Sequence, residues 1–112
     1  MVAFPTETVY GLGGNALSPS ASKAIYAAKG RPSDNPLIVH ICETASVYEL
    51  ATEVSDTAIS LMEAFWPGPL TIILPKSDIV PSETTGGLST VAIRMPSHPA
   101  ALSLIKNSGV YI

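Results

Sequence analysis

The sequence predicts an α/β fold: a twisted, mixed and at least partly parallel sheet with helices packed on it, forming a single incomplete domain over residues 1–112. Short apolar, β-branched runs at Leu37–Ile41, Leu70–Leu74 and Val91–Met95 alternate with segments whose apolar residues recur at helical spacing. Ten prolines and eight glycines punctuate these elements, which indicates sharply defined loops between apolar segments. The incompleteness is an expectation from the ends. Met1–Pro5 already reads as a strand with no polar lead-in, and Val110–Ile112 reads as the start of another.

With 112 residues, 46% of them hydrophobic, the chain has material for one ordinary core. A formal charge of −3 argues against a generally basic nucleic-acid coat and leaves room for a local cationic pocket. Cys42 is the single cysteine, which excludes an intrachain disulfide. No CxxC or His/Cys metal pattern occurs, so Cys42 reads as a small core residue. No apolar run approaches a membrane-spanning length and no basic-then-apolar leader opens the chain. A cytoplasmic protein without a membrane partner is expected.

The elements follow in order. Thr6–Ala16 is rich in hydroxyls and glycine, which lets a backbone approach a ligand while Thr6 and Thr8 offer hydrogen bonds. Gly11, Gly13 and Ala16 match G-x-G-x-x-G/A, but Pro19 interrupts the helix that a dinucleotide fingerprint needs. Ser18 or Ser20 can cap a helix over Ala21–Lys29 that buries Ala24, Ile25 and Ala28 and stops at Gly30. Residues Cys42–Glu53 fit either a short helix near Val47–Ala51 or an irregular connection. Ser55-Asp56 opens a clearer helix, with Ala58, Leu61, Met62 and Phe65 on its core side. Trp66-Pro67-Gly68-Pro69 ends it in a rigid turn, after which Leu70–Leu74 suits a central strand. Lys76–Glu83 is loop, and Thr84–Thr90 repeats the hydroxyl-plus-glycine chemistry of the first loop. Ser97 then caps a helix to about Lys106, with Ala101, Leu104 and Ile105 apolar.

The chemistry gathers between Lys29 and His40. In Lys29-Gly30-Arg31 two cations flank a glycine and can reach one anion, while Pro32 and Pro36 stiffen the loop. The same residues also fit a solvated basic turn between a helix and a strand. His40 falls at or near the end of the Leu37–Ile41 strand. Arg94 interrupts an apolar strand, which is costly unless it lies at an end or meets an anion. A strand-end arginine pointing into water is the other reading.

Three stretches resemble the YrdC-like family of threonylcarbamoyl-AMP synthases: Pro5–Gly13, Lys29–Pro32 through Asn35-Pro36-Leu37 to His40, and Trp66–Thr71. Val91–Pro96 resembles that family's next landmark, so the resemblance runs through the chain in order. It implies an enzyme that joins L-threonine, bicarbonate and ATP into threonylcarbamoyl-AMP and pyrophosphate. Partner proteins then transfer the threonylcarbamoyl group to an adenine beside the anticodon of certain tRNAs. It further implies that Thr8, His40 and Arg94 hold threonine, and that Lys29, Arg31, Asn35 and Thr90 hold the nucleotide. No covalent nucleophile is implied, and Mg2+ would arrive through the nucleotide instead of a protein cage. The family's Ser-x-Asn signature would lie beyond Ile112, which bears on whether a chain of this extent is active. Rival readings are a carbamoyltransferase-related domain, a double-stranded RNA-binding module through a cationic concavity, and a structural fragment. Six Lys plus Arg over the whole chain are few for the RNA reading.

Overall fold

Alternation along a strand sends successive side chains to opposite faces, and here it separates a buried face from an open one. The computed structural model describes residues 1–5, 10–30, 32 and 34–112, with Tyr10 described by its backbone alone. Three strands, β3 (Ile38–His40), β4 (Thr71–Pro75) and β5 (Thr90–Arg94), form a sheet in the order β3-β5-β4. β5 runs parallel to β3 and antiparallel to β4. Val39, Ile72, Leu74, Val91 and Ile93 are buried on one face. Ile38, His40, Thr71, Ile73, Thr90, Ala92 and Arg94 alternate with them and lie on the more open face. The mixed, partly parallel sheet is therefore as the sequence predicts. The central position among the described strands belongs to β5, and not to the Leu70–Leu74 run. That run is the edge strand β4, which leaves Ile73 66% exposed.

The buried face packs into one apolar cluster with Val47 and Leu50 of α2 (Val47–Leu50), Ala58 and Met62 of α3 (Asp56–Phe65), and Trp66. A 3₁₀ turn at Thr44–Ser46 leads into α2 and settles the segment that the sequence leaves open. Ser55 caps α3 by accepting from the Ala58 N–H at 3.1 Å. The expected core stripe of α3 is only half right, because Leu61 and Phe65 are exposed. Trp66 replaces Phe65 as the buried aromatic. The chain turns at the cis Trp66–Pro67 bond, and the Trp66 indole N–H donates to the Leu70 carbonyl at 2.8 Å.

Helix α1 (Pro19–Lys29) takes Ser18 as its cap, with the hydroxyl accepting from the Ala21 N–H at 3.3 Å. It ends at Gly30, whose φ of 61° is the left-handed conformation that glycine adopts at least cost. Its buried residues are Ser22, Ile25 and Tyr26, while Ala28 is exposed. The face is set by the larger Tyr26 and by the Ser22 hydroxyl, since alanines have little area to bury. Helix α4 (Pro99–Ser108) is capped by His98, and not by Ser97: the His98 ring nitrogen accepts from the Ala100 N–H at 3.1 Å.

At the front of the chain, β1 (Val2–Pro5) and β2 (Tyr10–Gly13) form an antiparallel hairpin with Phe4 opposite Gly11. Gly11 and Gly13 therefore sit in a strand and not in a phosphate loop. Val110–Ile112 is not assigned as a strand, although it is bonded on both sides. The Tyr111 carbonyl accepts from the Ala16 N–H at 2.8 Å, and the Ile112 N–H donates to the His40 carbonyl at 3.2 Å.

Candidate functional site

Parallel pairing of β3 with β5 places His40 directly opposite Arg94, each the last residue of its strand. Because Val39 and Ile93 point into the core, His40 and Arg94 share the open face. Thr71, at the start of β4, is the register partner of Arg94 on its other side. The result is a polar row, His40–Arg94–Thr71, across one end of the sheet. The next row along the strands, Ile38–Ala92–Ile73, is apolar.

The Trp66–Pro69 turn steadies the arginine. The Gly68 carbonyl accepts from Arg94 Nε at 3.3 Å, and the Gly68 N–H donates to the Met95 carbonyl at 2.8 Å. Partial burial pushes the Arg94 guanidinium below its ordinary value, yet arginine stays charged in proteins. A cation with a planar donor fork, held at one edge, is suited to a carboxylate. Burial also holds the His40 imidazole below its ordinary 6.5, while a ring hydrogen bond to the Ile38 backbone works the other way. At neutral pH the ring is uncharged. With one nitrogen donating to the Ile38 carbonyl, the other can accept a hydrogen bond.

The remaining predicted residues are distributed differently. Thr90 is the first residue of β5 and Arg94 the last, which separates them by about 13 Å along the strand. Asn35 is exposed in the loop before β3, its N–H donating to the Pro32 carbonyl at 3.1 Å. Thr90 thus opens, and Asn35 precedes, the strands that Arg94 and His40 respectively end. Lys29 is exposed on the last turn of α1. Thr8 and Arg31 lie outside the described residues.

The second hydroxyl-and-glycine stretch does not repeat ligand chemistry at its first two positions. Thr84 is buried, 2.7 Å from the Ser22 hydroxyl and 2.6 Å from the Ala16 carbonyl, to which it donates. Thr85, also buried, donates to the Leu88 carbonyl at 2.9 Å. These groups hold loops together. The sequence reading also missed two residues at the site, Gly68 and Phe4. The Phe4 ring stands 5.8 Å from the His40 ring at an interplanar angle of 81°. An aromatic residue opposite the glycines of a hairpin was the available signal.

A separate cleft of 490 Å3 lies between the end of α4 and the Glu43–Glu49 segment and contains none of the predicted residues. In it the Tyr111 hydroxyl donates to the Glu49 carboxylate. Burial, with Glu49 alongside, pushes that phenol up.

Comparison with known proteins decides the family. The sequence model of the Sua5/YciO/YrdC family, described as telomere recombination, matches residues 1–112. The chain belongs to this family. Among Sua5/YciO/YrdC proteins it is similar to a threonylcarbamoyl-AMP synthase of Pyrococcus abyssi, 59% identical over 96% of the chain and 32% of that protein. It is also similar to a threonylcarbamoyl-AMP synthase of Bacillus subtilis, 58% identical over 100% of the chain and 33% of that protein. Its fold superposes on the crystal structure of Pyrococcus abyssi Sua5 complexed with L-threonine, with a TM-score of 0.95 and 58% identity. That match covers 97% of this chain and 32% of the Sua5 chain. The chain therefore spans about a third of the length of these Sua5/YciO/YrdC relatives. No helix among the described residues is long and apolar enough to cross a membrane.

Proposed function

We propose that this chain carries the substrate-binding face of a threonylcarbamoyl-AMP synthase. This is a nucleotidyltransferase joining L-threonine, bicarbonate or CO2, and ATP into threonylcarbamoyl-AMP and pyrophosphate. The observation that carries the reading is the register pair His40–Arg94 on the open sheet face, in a chain whose relatives include a protein solved with L-threonine. In this reading Arg94 pairs with the amino acid carboxylate, and His40 and Thr8 orient the amine and the hydroxyl. Towards the other end of the strands, Thr90 and Asn35 hold the nucleotide, and Lys29 and Arg31 neutralise phosphate charge.

The reaction asks for alignment and charge neutralisation, not for a covalent protein nucleophile. The threonine amine attacks CO2 to give a carbamate and releases a proton. A carbamate oxygen then attacks the α-phosphorus of ATP, and pyrophosphate leaves. Among the described residues no three His, Cys, Asp or Glu side chains cluster as a metal cage. Mg2+ enters this proposal with the nucleotide phosphates, as is usual for that ion. The product would pass through partner proteins to tRNA in the cytoplasm. Double-stranded RNA is a weaker reading, because six cations in a chain of net charge −3 give little phosphate-driven affinity.

Titration calorimetry with L-threonine and with Mg-ATP, separately and together, tests the reading. Threonine binding that disappears in Arg94→Ala supports it. Lys29→Ala and Arg31→Ala should weaken ATP more than threonine, and the reverse order would exchange the two subsites. Binding of carbamoyl phosphate with no response to threonine would replace the synthase by a carbamoyltransferase.

A further inference from the structure

Phe4 has no role in the proposed reaction, yet it is only 5% exposed and meets the imidazole of the site. The β1–β2 hairpin explains how it arrives there. Phe4 pairs with Gly11, and the absence of a side chain on β2 leaves room for the ring. A Cβ at Gly13 would come within 2.7 Å of the Phe4 ring and 2.4 Å of the Ile112 side chain, closer than real contacts allow. The hairpin glycines thus form a seat for one aromatic, and that aromatic stands perpendicular to His40. Perpendicular aromatic pairs at this separation are an attractive geometry worth about 0.5–1.5 kcal/mol.

We propose that Phe4 is a positioning residue for substrate binding: its ring, seated on the β2 glycines, fixes the orientation of the His40 imidazole beside Arg94. This rests on the reading of His40 and Arg94 as the amino acid subsite. A neutral imidazole that donates to Ile38 can accept from an N–H or O–H of the amino acid only while its second nitrogen stays unprotonated and correctly aimed. Phe4 removes water from one side of the ring and limits its rotation. Among the described residues, the charged side chain in register with His40 is Arg94 on β5. β1 contributes no ionisable side chain, and Tyr111, in the segment bonded to the His40 backbone, donates its hydroxyl to Glu49.

The test follows the His40 ring protons by NMR against pH and measures L-threonine affinity over the same range. His98→Asn, which puts a preferred helix cap where the His98 ring now accepts from the Ala100 N–H, serves as the background and removes the second histidine signal. Phe4→Leu should move the His40 midpoint to higher pH and move the loss of threonine binding on acidification by the same amount. Above both midpoints affinity should fall roughly three- to tenfold. Phe4→Tyr, which keeps the ring, should retain the parent midpoint. Phe4→Met, which also removes the ring but keeps an apolar side chain, should shift the midpoint in the same direction and stands in if Phe4→Leu does not fold. An unmoved midpoint in a folded variant, with affinity lowered equally at every pH, would reduce Phe4 to a packing residue and overturn the proposal. If the parent binds no threonine at any pH, the subsite reading fails and substrate positioning fails with it. The midpoint comparison without ligand then still reports whether Phe4 governs the imidazole.

Discussion

Thr84 and Arg94 stand ten positions apart in the sequence and look alike as candidates: each places a polar group in a region that must pack against apolar neighbours. The structure treats them oppositely. Thr84 is 1% exposed and its hydroxyl is engaged by Ser22 and Ala16 at 2.7 and 2.6 Å. Arg94 is only partly buried, lies on the open face, and is anchored through Nε to Gly68 at 3.3 Å. The difference separates a structural polar group from the one proposed above to bind a ligand. The first has both its partners in the interior; the second sits at a strand end on the open face and is anchored through Nε to the neighbouring turn.

The largest effect that would sharpen this contrast comes from Arg94→Ala. Removing one partner of a charge pair at a binding site costs about 2–5 kcal/mol, so threonine affinity should fall at least thirtyfold, in line with that range. Urea denaturation should meanwhile show little change. Thr84→Val should do the reverse. It keeps the shape, strands the Ser22 hydroxyl and the Ala16 carbonyl, and costs about 1–3 kcal/mol of stability, with threonine affinity in the folded protein unchanged. If both variants lose stability and neither loses affinity, the two regions are alike and the contrast collapses.

A smaller effect comes from pH. Burial lowers the folded-state pKa of His40 below its unfolded value of 6.5, so on acidification the unfolded chain takes up the proton first. The contribution of this group to stability is therefore complete above pH 6.5 and declines as the pH falls below it. Urea denaturation at successive pH values, parent against His40→Gln, should show the parent losing more stability on the acid side. A parallel pair of curves would mean that the imidazole is not held in a dry setting.

The sheet was legible because its strands are apolar and its strand-end residues polar: the alternation in Val91-Ala92-Ile93-Arg94 assigns Arg94 to the face opposite Val91 and Ile93. That His40 would be its neighbour required the register of a parallel pair 54 residues apart (94 − 40), and no local pattern encodes such a pairing. The family motifs supplied that grouping where periodicity could not. Thr84 was misread because a buried, satisfied hydroxyl and an exposed, available one have the same sequence signature. Phe4 was overlooked for a related reason. Its partners Gly11 and Gly13 invite attention as loop glycines, whereas their function is to leave space for a ring.

The smallest predicted effect concerns α3. Helical spacing groups Phe65 with Met62 as core, but Met62 is 3% exposed and Phe65 57%. Trp66, one residue on, fills the buried position and fixes its indole on Leu70. A substitution at a site exposed to this degree and away from any special feature changes stability by about 0.5 kcal/mol or less, so Phe65→Ser should leave the urea midpoint nearly where it was. A loss several times larger would mean that something covers Phe65 in solution. The apolar stripe read from the sequence would then have been right about a contact that the isolated fold leaves open.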